Sequence, residues 1–329
     1  MEKKSFLKKI GGSREISLLL ILLVLIGLVS IKSPGFLSMQ NITEILKNNS
    51  VTMILSLGML MVLLIGGIDI SVASTLGFAG MMVGMLFKTG LVSSTLLGFV
   101  IAIGMGAVCG LVVGLIISYG RVAPIICTMG AMYIYRGLAY LVANDQWAGA
   151  DALGEFKSFA LTSSLGINNV ILVTIVCYLL FFVILKWTKF GRNIYAVGSN
   201  EEAAGISGIN VHGVKIAVYT LMGTLAGLSG ALSTSVYASA QPNMQYGKEM
   251  DVIAACVIGG VSMSGGRGSV IGALLGALIL AVISKALPLI GIGALAQNTI
   301  KGVLIVAVII ANVITQRIMV RSTLEKREI

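Results

Sequence analysis

Charge is scarce in this chain. Only 11% of its 329 residues are charged and 57% are apolar, whereas soluble globular domains carry about 25% charged residues. Such a chain cannot cover its own surface in water, and a mean hydropathy of +1.00 places its bulk in lipid or among its own helices. Proline is nearly absent, with 4 residues against 41 glycines. Glycine inside apolar runs lets membrane helices approach closely and does not mark disorder. Histidine occurs once, as His212 in a polar loop, which leaves no partner for a histidine metal site or a nucleophile–base pair. Cys109, Cys127, Cys177 and Cys256 lie singly in apolar segments, without CxxC or metal-ligand spacing, and read as small packing residues. The GxxxxGKS/T, HExxH and GxSxG patterns are missing, so no P-loop ATP site, catalytic residue, metal or bound cofactor is expected.

The net charge of +10 does not point to nucleic acid. The lysines and arginines sit at the termini and in a few short loops, which is the pattern of membrane topology signals. The basic segment Met1–Arg14 before the apolar run Ile16–Ile31 looks like a signal peptide. No small-residue cleavage site follows it, so it is read as an uncleaved first helix.

Apolar runs of this length become helices in lipid, because each backbone amide must be satisfied within its own segment. Spans are placed near 16–32, 50–66, 68–87, 91–118, 124–143, 168–187, 215–237, 251–264, 269–289 and 297–316. The fold class is therefore an all-α polytopic membrane protein, a single transmembrane domain over 1–329 with about ten helices (eight to ten). Val51–Phe87 is too long for one crossing and must break around Gly66, Gly67 and Asp69. Asp251–Ser264 is short enough to be either a full or a partial crossing. Met39–Asn49 is too polar to span and is expected as a short helix outside the membrane or along its surface.

Ten crossings put both termini on one side. Lys3, Lys4, Lys8, Lys9, Arg14, Arg121, Lys186, Lys189, Arg192, Lys215, Arg267, Arg317, Arg321, Lys326 and Arg327 then share a face, fifteen of the 23 basic residues. The positive-inside rule makes that face cytoplasmic, including the N-terminus 1–15, the loop 186–215 and the tail 317–329. The opposite loop, Asn144–Asn168, is acidic, and Trp147 and Trp187 fall at span ends. Gly106, Gly110 and Gly114 repeat at the spacing of Gly268, Gly272 and Gly276, each series forming one flat stripe for helix packing. Leu64-Ile65-Gly66-Gly67 echoes Val257-Ile258-Gly259-Gly260, a hint of duplicated architecture.

The loop Lys186–Lys215 is the most informative polar stretch. Ser199 or Asn200 can cap a short helix starting at Glu201, with Glu201 and Glu202 favourably placed in its first turn. Gly205 and Gly208 limit it to about two turns. With small alanines facing outward, it suits insertion into a partner's groove; a plain surface helix is the equal alternative.

FGRNIYAVGSNEEAAGISGINV resembles the cytoplasmic loop of ribose-type ABC transporter permeases, binding-protein-dependent inner-membrane components that carry monosaccharides or autoinducer-2. Further stretches agree in the same order: Gly66-Gly67-Ile68-Asp69-Ile70-Ser71, Tyr135-Arg136-Gly137, Ala240-Gln241-Pro242, Ile258-Gly259-Gly260 and Gly265-Gly266-Arg267-Gly268. The resemblance covers about Pro34 to Asn312. It implies the ABC importer permease fold in a bacterial cytoplasmic (inner) membrane. It also implies a second permease copy or sister permease, a cytoplasmic ATPase that binds the ATP, and an extracytoplasmic solute-binding protein. Glu201, Glu202, Ala203, Ala204 and Gly208 match the ATPase-coupling loop. Gly205 stands where a basic or polar residue is common, and Ala73 where glycine is usual. A monosaccharide such as ribose is the expected cargo; autoinducer-2, a branched-chain amino acid, or an autonomous carrier or channel are the alternatives.

Two ionisable residues fall well inside apolar segments, Asp69 and Arg136. A charge near the bilayer centre costs on the order of 2.5–3.5 kcal/mol, so it faces a partner or a cavity. These two are expected either to pair and hold the helix break, or to line the pathway near Ser71. Asp251 and Lys285 lie nearer span ends and read as interfacial.

Overall fold

The computed structural model describes residues 14–289 without a break, and beyond them 291–293, 296, 297, 299, 300, 302, 303, 306, 307 and 310. The expected N-terminal segment up to residue 13, most of the expected last span (297–316) and the tail 317–329 lie outside the described residues. The helices run α1 Arg14–Lys32, α2 Met39–Leu64, α3 Val72–Lys88, α4 Thr95–Gly120, α5 Pro124–Ala143, α6 Asn169–Trp187, α7 Lys189–Ser199, α8 Glu201–Ile206, α9 Val211–Tyr237, α10 Lys248–Ile258 and α11 Val270–Leu289. Two 3-10 turns (Pro34–Leu37 and Gly154–Ala160) and a pair of two-residue antiparallel strands, β1 Ser163–Ser164 and β2 Ile167–Asn168, complete the described chain. Seven of these helices (α1, α2, α4, α5, α6, α9 and α11) are long and apolar enough to cross a membrane, and α3 is a shorter apolar helix.

The expectation of a separate helix at Met39–Asn49 is corrected: those residues are the first part of α2, which runs unbroken to Leu64. No proline or glycine interrupts them, Ser38 caps the helix by accepting from Asn41 N, and the polar side chains find local acceptors. Thr43 Oγ1 donates to Met39 O, Asn49 Nδ2 to Ile45 O and Ser50 Oγ to Leu46 O. Lys285 of α11 donates to Glu44 across 3.1 Å. From Ser50 onward α2 is buried on every side, against α6, α9, α10 and α11.

The expected break in Val51–Phe87 is found. Gly67 N donates to Val62 O and Gly66 N to Leu63 O, with Gly66 at φ +75°; this is a Schellman end, which needs a residue free to adopt left-handed backbone. α10 ends in the same way, with Val261 N to Cys256 O, Gly260 N to Val257 O and Gly260 at φ +91°. The internal echo is therefore real as geometry, but Gly66 pairs with Gly260, one position on from the register read in the sequence.

The glycine stripes are packing surfaces. A Cβ on Gly106 would strike Gly223 O, one on Gly110 would strike Tyr219 O, and Gly227 lies equally close to Ala102 O, so α4 and α9 touch backbone to backbone. Gly272 and Gly276 bring α11 against Ala255 of α10 and Gly259 at its end in the same manner, but the expected third member, Gly268, precedes α11 and packs on the side chains of Val261 and Leu60.

The basic loops gather at one end of the bundle. Gly266 N donates to Leu64 O, Tyr195 OH to Gly268 O, and Ser118 Oγ meets His212 Nδ1 at 2.8 Å. At the opposite end Lys88 Nζ donates to Gln146 Oε1 and Trp147 O, and Ala148 and Ala240 exchange backbone hydrogen bonds.

Candidate functional site

The connection between α6 and α9 is built on α7. Thr188 Oγ1 caps α7 by accepting from Gly191 N at 3.1 Å. Gly198 rests directly on the Leu64 carbonyl, where a Cβ has no room. Together with Tyr195, this fixes α7 to the end of α2 and the loop before α11. The chain then turns into α8, a helix of 6 residues. Asn200 Oδ1 accepts from Ala203 N at 2.9 Å, so of the two expected caps Asn200 is the one used. At the other end Ile209 N donates to Ala204 O and Gly208, at φ +83°, donates to Gly205 O. Glu201 pairs with Lys215 of α9 at 2.7 Å.

The two alanines of α8 do not both face outward. Ala204 is buried, because the closing turn folds Ile209 back over it, while Glu202 and Ala203 are exposed. Ile206 is 90% exposed. It is an exposed apolar side chain on α8 that the sequence does not single out, because Ile209 and Val211 follow it within five residues. A cavity of about 490 Å3 lies beneath α8, and its lining includes Glu201, Lys215, His212, Arg121, Gly66 and Tyr219. The helix end at Gly66 and the short helix α8 thus share one space.

Asp69 and Arg136 do not pair, so that expectation is corrected. Asp69 is buried and its Oδ1 accepts from Ser71 N at 2.8 Å and Ser71 Oγ at 2.6 Å, closing the turn that starts α3. Arg136 instead donates to Pro242 O at 2.7 Å, Met244 O at 3.1 Å and Ala73 O at 3.1 Å, with its guanidinium 5.8 Å from the Tyr246 ring centroid. A planar fork of donors suits several carbonyls at once; two of them, at Pro242 and Met244, come from non-helical backbone, and the third, at Ala73, from the first turn of α3.

The backbone that Arg136 holds is the loop between α9 and α10. Ala240 sits against Gly84 and Met244 against Gly80, so the loop descends along α3 toward its middle. α10 has only 11 residues, about 16 Å of helix against a hydrocarbon core of about 30 Å. Of the polar side chains of this loop, the sequence singles out Gln241 only within the Ala240-Gln241-Pro242 resemblance and Gln245 not at all, because their placement depends on contacts distant in the chain.

Among the described residues, no three His, Cys, Asp or Glu side chains come close enough to hold a metal ion. Cys109, Cys127, Cys177 and Cys256 are free thiols, all but Cys127 buried.

The family described as "Branched-chain amino acid transport system / permease component" matches residues 41–313. The ribose import permease protein RbsC of Escherichia coli (strain K12) is 37% identical over 297 residues, covering 89% of this chain and 92% of its own. RbsC of Bacillus subtilis (strain 168) is 36% identical over 301 residues, covering 91% and 93%. The galactose/methyl galactoside import permease protein MglC of Escherichia coli (strain K12) is 34% identical over 324 residues, covering 93% and 95%. No solved structure matches the chain. With a family match over most of its length and relatives aligned nearly end to end, this multi-pass membrane protein belongs to the branched-chain amino acid transport system permease family.

Proposed function

We propose that this chain is the membrane-spanning subunit of an ATP-binding cassette importer that moves a monosaccharide such as ribose across the bacterial cytoplasmic membrane. The observation that carries the reading is α8. A helix of 6 residues cannot hold itself in water, yet this one is capped at both ends, tied to α9 by Glu201–Lys215, and presents Glu202, Ala203 and a 90% exposed Ile206 to solvent. An apolar side chain held out on a braced two-turn helix fits a groove on a partner, here the cytoplasmic ATPase, which binds and hydrolyses the ATP. Glu201, Glu202, Ala203, Ala204 and Gly208 form this coupling element, with Ile206 added as its anchor. The cargo reading is supported by relatives named for ribose and galactose import.

In this reading the basic end of the bundle is cytoplasmic. Among the described residues the seven long helices, α3 and the descending loop with α10 make nine crossings; the span expected from the sequence at 297–316, outside them, brings the number to ten and both termini inside. Because Glu201 and Gly66 line the same cavity, a shift of α8 driven by the ATPase is felt at the ends of α2 and α4. A second permease and an extracytoplasmic binding protein complete the importer. The test is copurification from the native membrane in mild detergent. An ATPase subunit is expected with the wild-type chain and lost with Ile206→Asp; equal recovery of the ATPase with both would overturn the assignment of α8.

A further inference from the structure

Non-helical backbone at membrane depth is tolerated only where protein buries it or water reaches it. Residues 240–244 run from the end of the bundle, where Ala240 bonds to Ala148, down to the middle of the 17-residue helix α3, where Met244 packs at Gly80. The stretch is not fully enclosed: Asn243 is exposed and Tyr246 is 81% exposed. Beside it is a cavity of about 420 Å3, lined by Ser233, Tyr237, Ser239, Gln241, Met244 and Gln245. Gln245 Nε2 donates to Ser233 Oγ at 3.0 Å and Gln241 Nε2 to Ser239 Oγ at 3.3 Å. Gln245 has φ +53°, a backbone conformation that persists only where the surroundings over-determine it; Ala238, at φ +47°, is the Schellman end of α9.

The chemistry of the lining is selective. It consists of two carboxamides, two hydroxyls, a phenol and a thioether, with no formal charge. A carboxylate or an ammonium group entering it would lose water without gaining a counter-charge. A neutral polyol would find donors and acceptors for its hydroxyls, and Tyr237 offers a ring to its C–H face. The volume falls within the roughly 300–1,000 Å3 usual for small-molecule sites.

We propose that this cavity is a monosaccharide-contacting station between the Ala240 end of the bundle and the middle of α3. Gln241 and Gln245 are its specificity-determining residues, and Arg136 is the positioning residue that holds their loop at that depth. This rests on the sugar-importer reading above. The lack of charge also separates it from a path for amino acids.

The test uses the complete importer (this permease with its ATPase and binding protein) in proteoliposomes. Ribose and galactose uptake are measured beside binding-protein-stimulated ATP hydrolysis. If the wild type takes up neither sugar, the importer reading fails and the station with it. With an active wild type, Gln241→Leu and Gln245→Leu are each expected to lower uptake at least tenfold while stimulated ATP hydrolysis stays within twofold. Uptake within twofold of wild type in both variants would overturn the station alone. Should these variants not assemble, labelling of a Ser239→Cys protein by a polar maleimide decides the matter, against the wild-type background of four cysteines. At least threefold slowing by the transported sugar is expected, and an unchanged rate overturns the proposal. Arg136→Lys, which keeps the charge but loses the fork, is expected to change the ribose-to-galactose uptake ratio at least threefold. Equal loss of both sugars would reduce Arg136 to a structural brace.

Discussion

The guanidinium of Arg136 donates to the carbonyls of Pro242 and Met244, more than a hundred positions further along the chain, and with the same fork to Ala73. One side chain of α5 thus joins the start of α3 to the loop before α10. Hydrogen bonds to charged groups contribute about 1.5–3 kcal/mol each, and a buried partner left unsatisfied costs about 1–3 kcal/mol. Arg136→Leu is therefore expected to destabilise by at least about 3 kcal/mol and to abolish recovery of folded protein. Arg136→Lys should lose roughly half of that, read as thermal unfolding in detergent.

The Asn200 cap is a small interaction under a small helix. Asn200→Ala removes the acceptor for Ala203 N and costs about 1 kcal/mol, little for the whole bundle but a great deal for six residues. Thermal unfolding should hardly move, while binding-protein-stimulated ATP hydrolysis and uptake fall together several-fold.

Glu201 and Lys215 contrast with that cap. Their pair is partly exposed, with the Glu201 side chain 56% accessible, and exposed ion pairs are worth about 0–1 kcal/mol. Glu201→Gln is expected to cost less than about 1 kcal/mol and, as one of several braces on α8, to lower uptake by less than Asn200→Ala does. Glu202→Lys, which reverses a charge on the outward face, should reduce uptake at least tenfold. Comparing the two variants at equal ATPase content checks this.

At the α4–α9 contact, Gly110 faces Tyr219 O and Gly223 with no space for a Cβ. Gly110→Val must push two backbones apart, so a cost of about 3 kcal/mol or more and loss of assembled protein are expected. Gly104 on the same helix has nothing near its missing Cβ. Gly104→Ala should be neutral or slightly stabilising through helix propensity, as read by melting temperature.

Local chemistry explains what could be read from the sequence. The break after Leu64, the cap at Asn200 and the packing role of Gly106 and Gly110 depend on residues within a few positions, and each is found. The continuity of α2 through Met39–Asn49 was obscured because its polar side chains were weighed as exposed, whereas they bond to their own preceding turn. The depth of the 238–247 loop depends on contacts distant in sequence, with Gly80 and Gly84 on α3 and Arg136 on α5. For the same reason Asp69 suggested itself as the partner of Arg136: opposite charge is visible in a sequence, but a cluster of backbone carbonyls is not. Ile206 stands beside the Glu-Ala-Ala core, and its 90% exposure is set by the fold of α8 and not visible in the sequence.

The central claim is that this chain moves solute only when an ATPase acts on α8. Uptake of radiolabelled ribose by proteoliposomes containing this permease, with and without the ATPase, binding protein and ATP, tests it most directly. Uptake at the level of empty vesicles is expected for the permease alone, and ATP-dependent accumulation when all components are present. Downhill flux of ribose through the permease alone would contradict it.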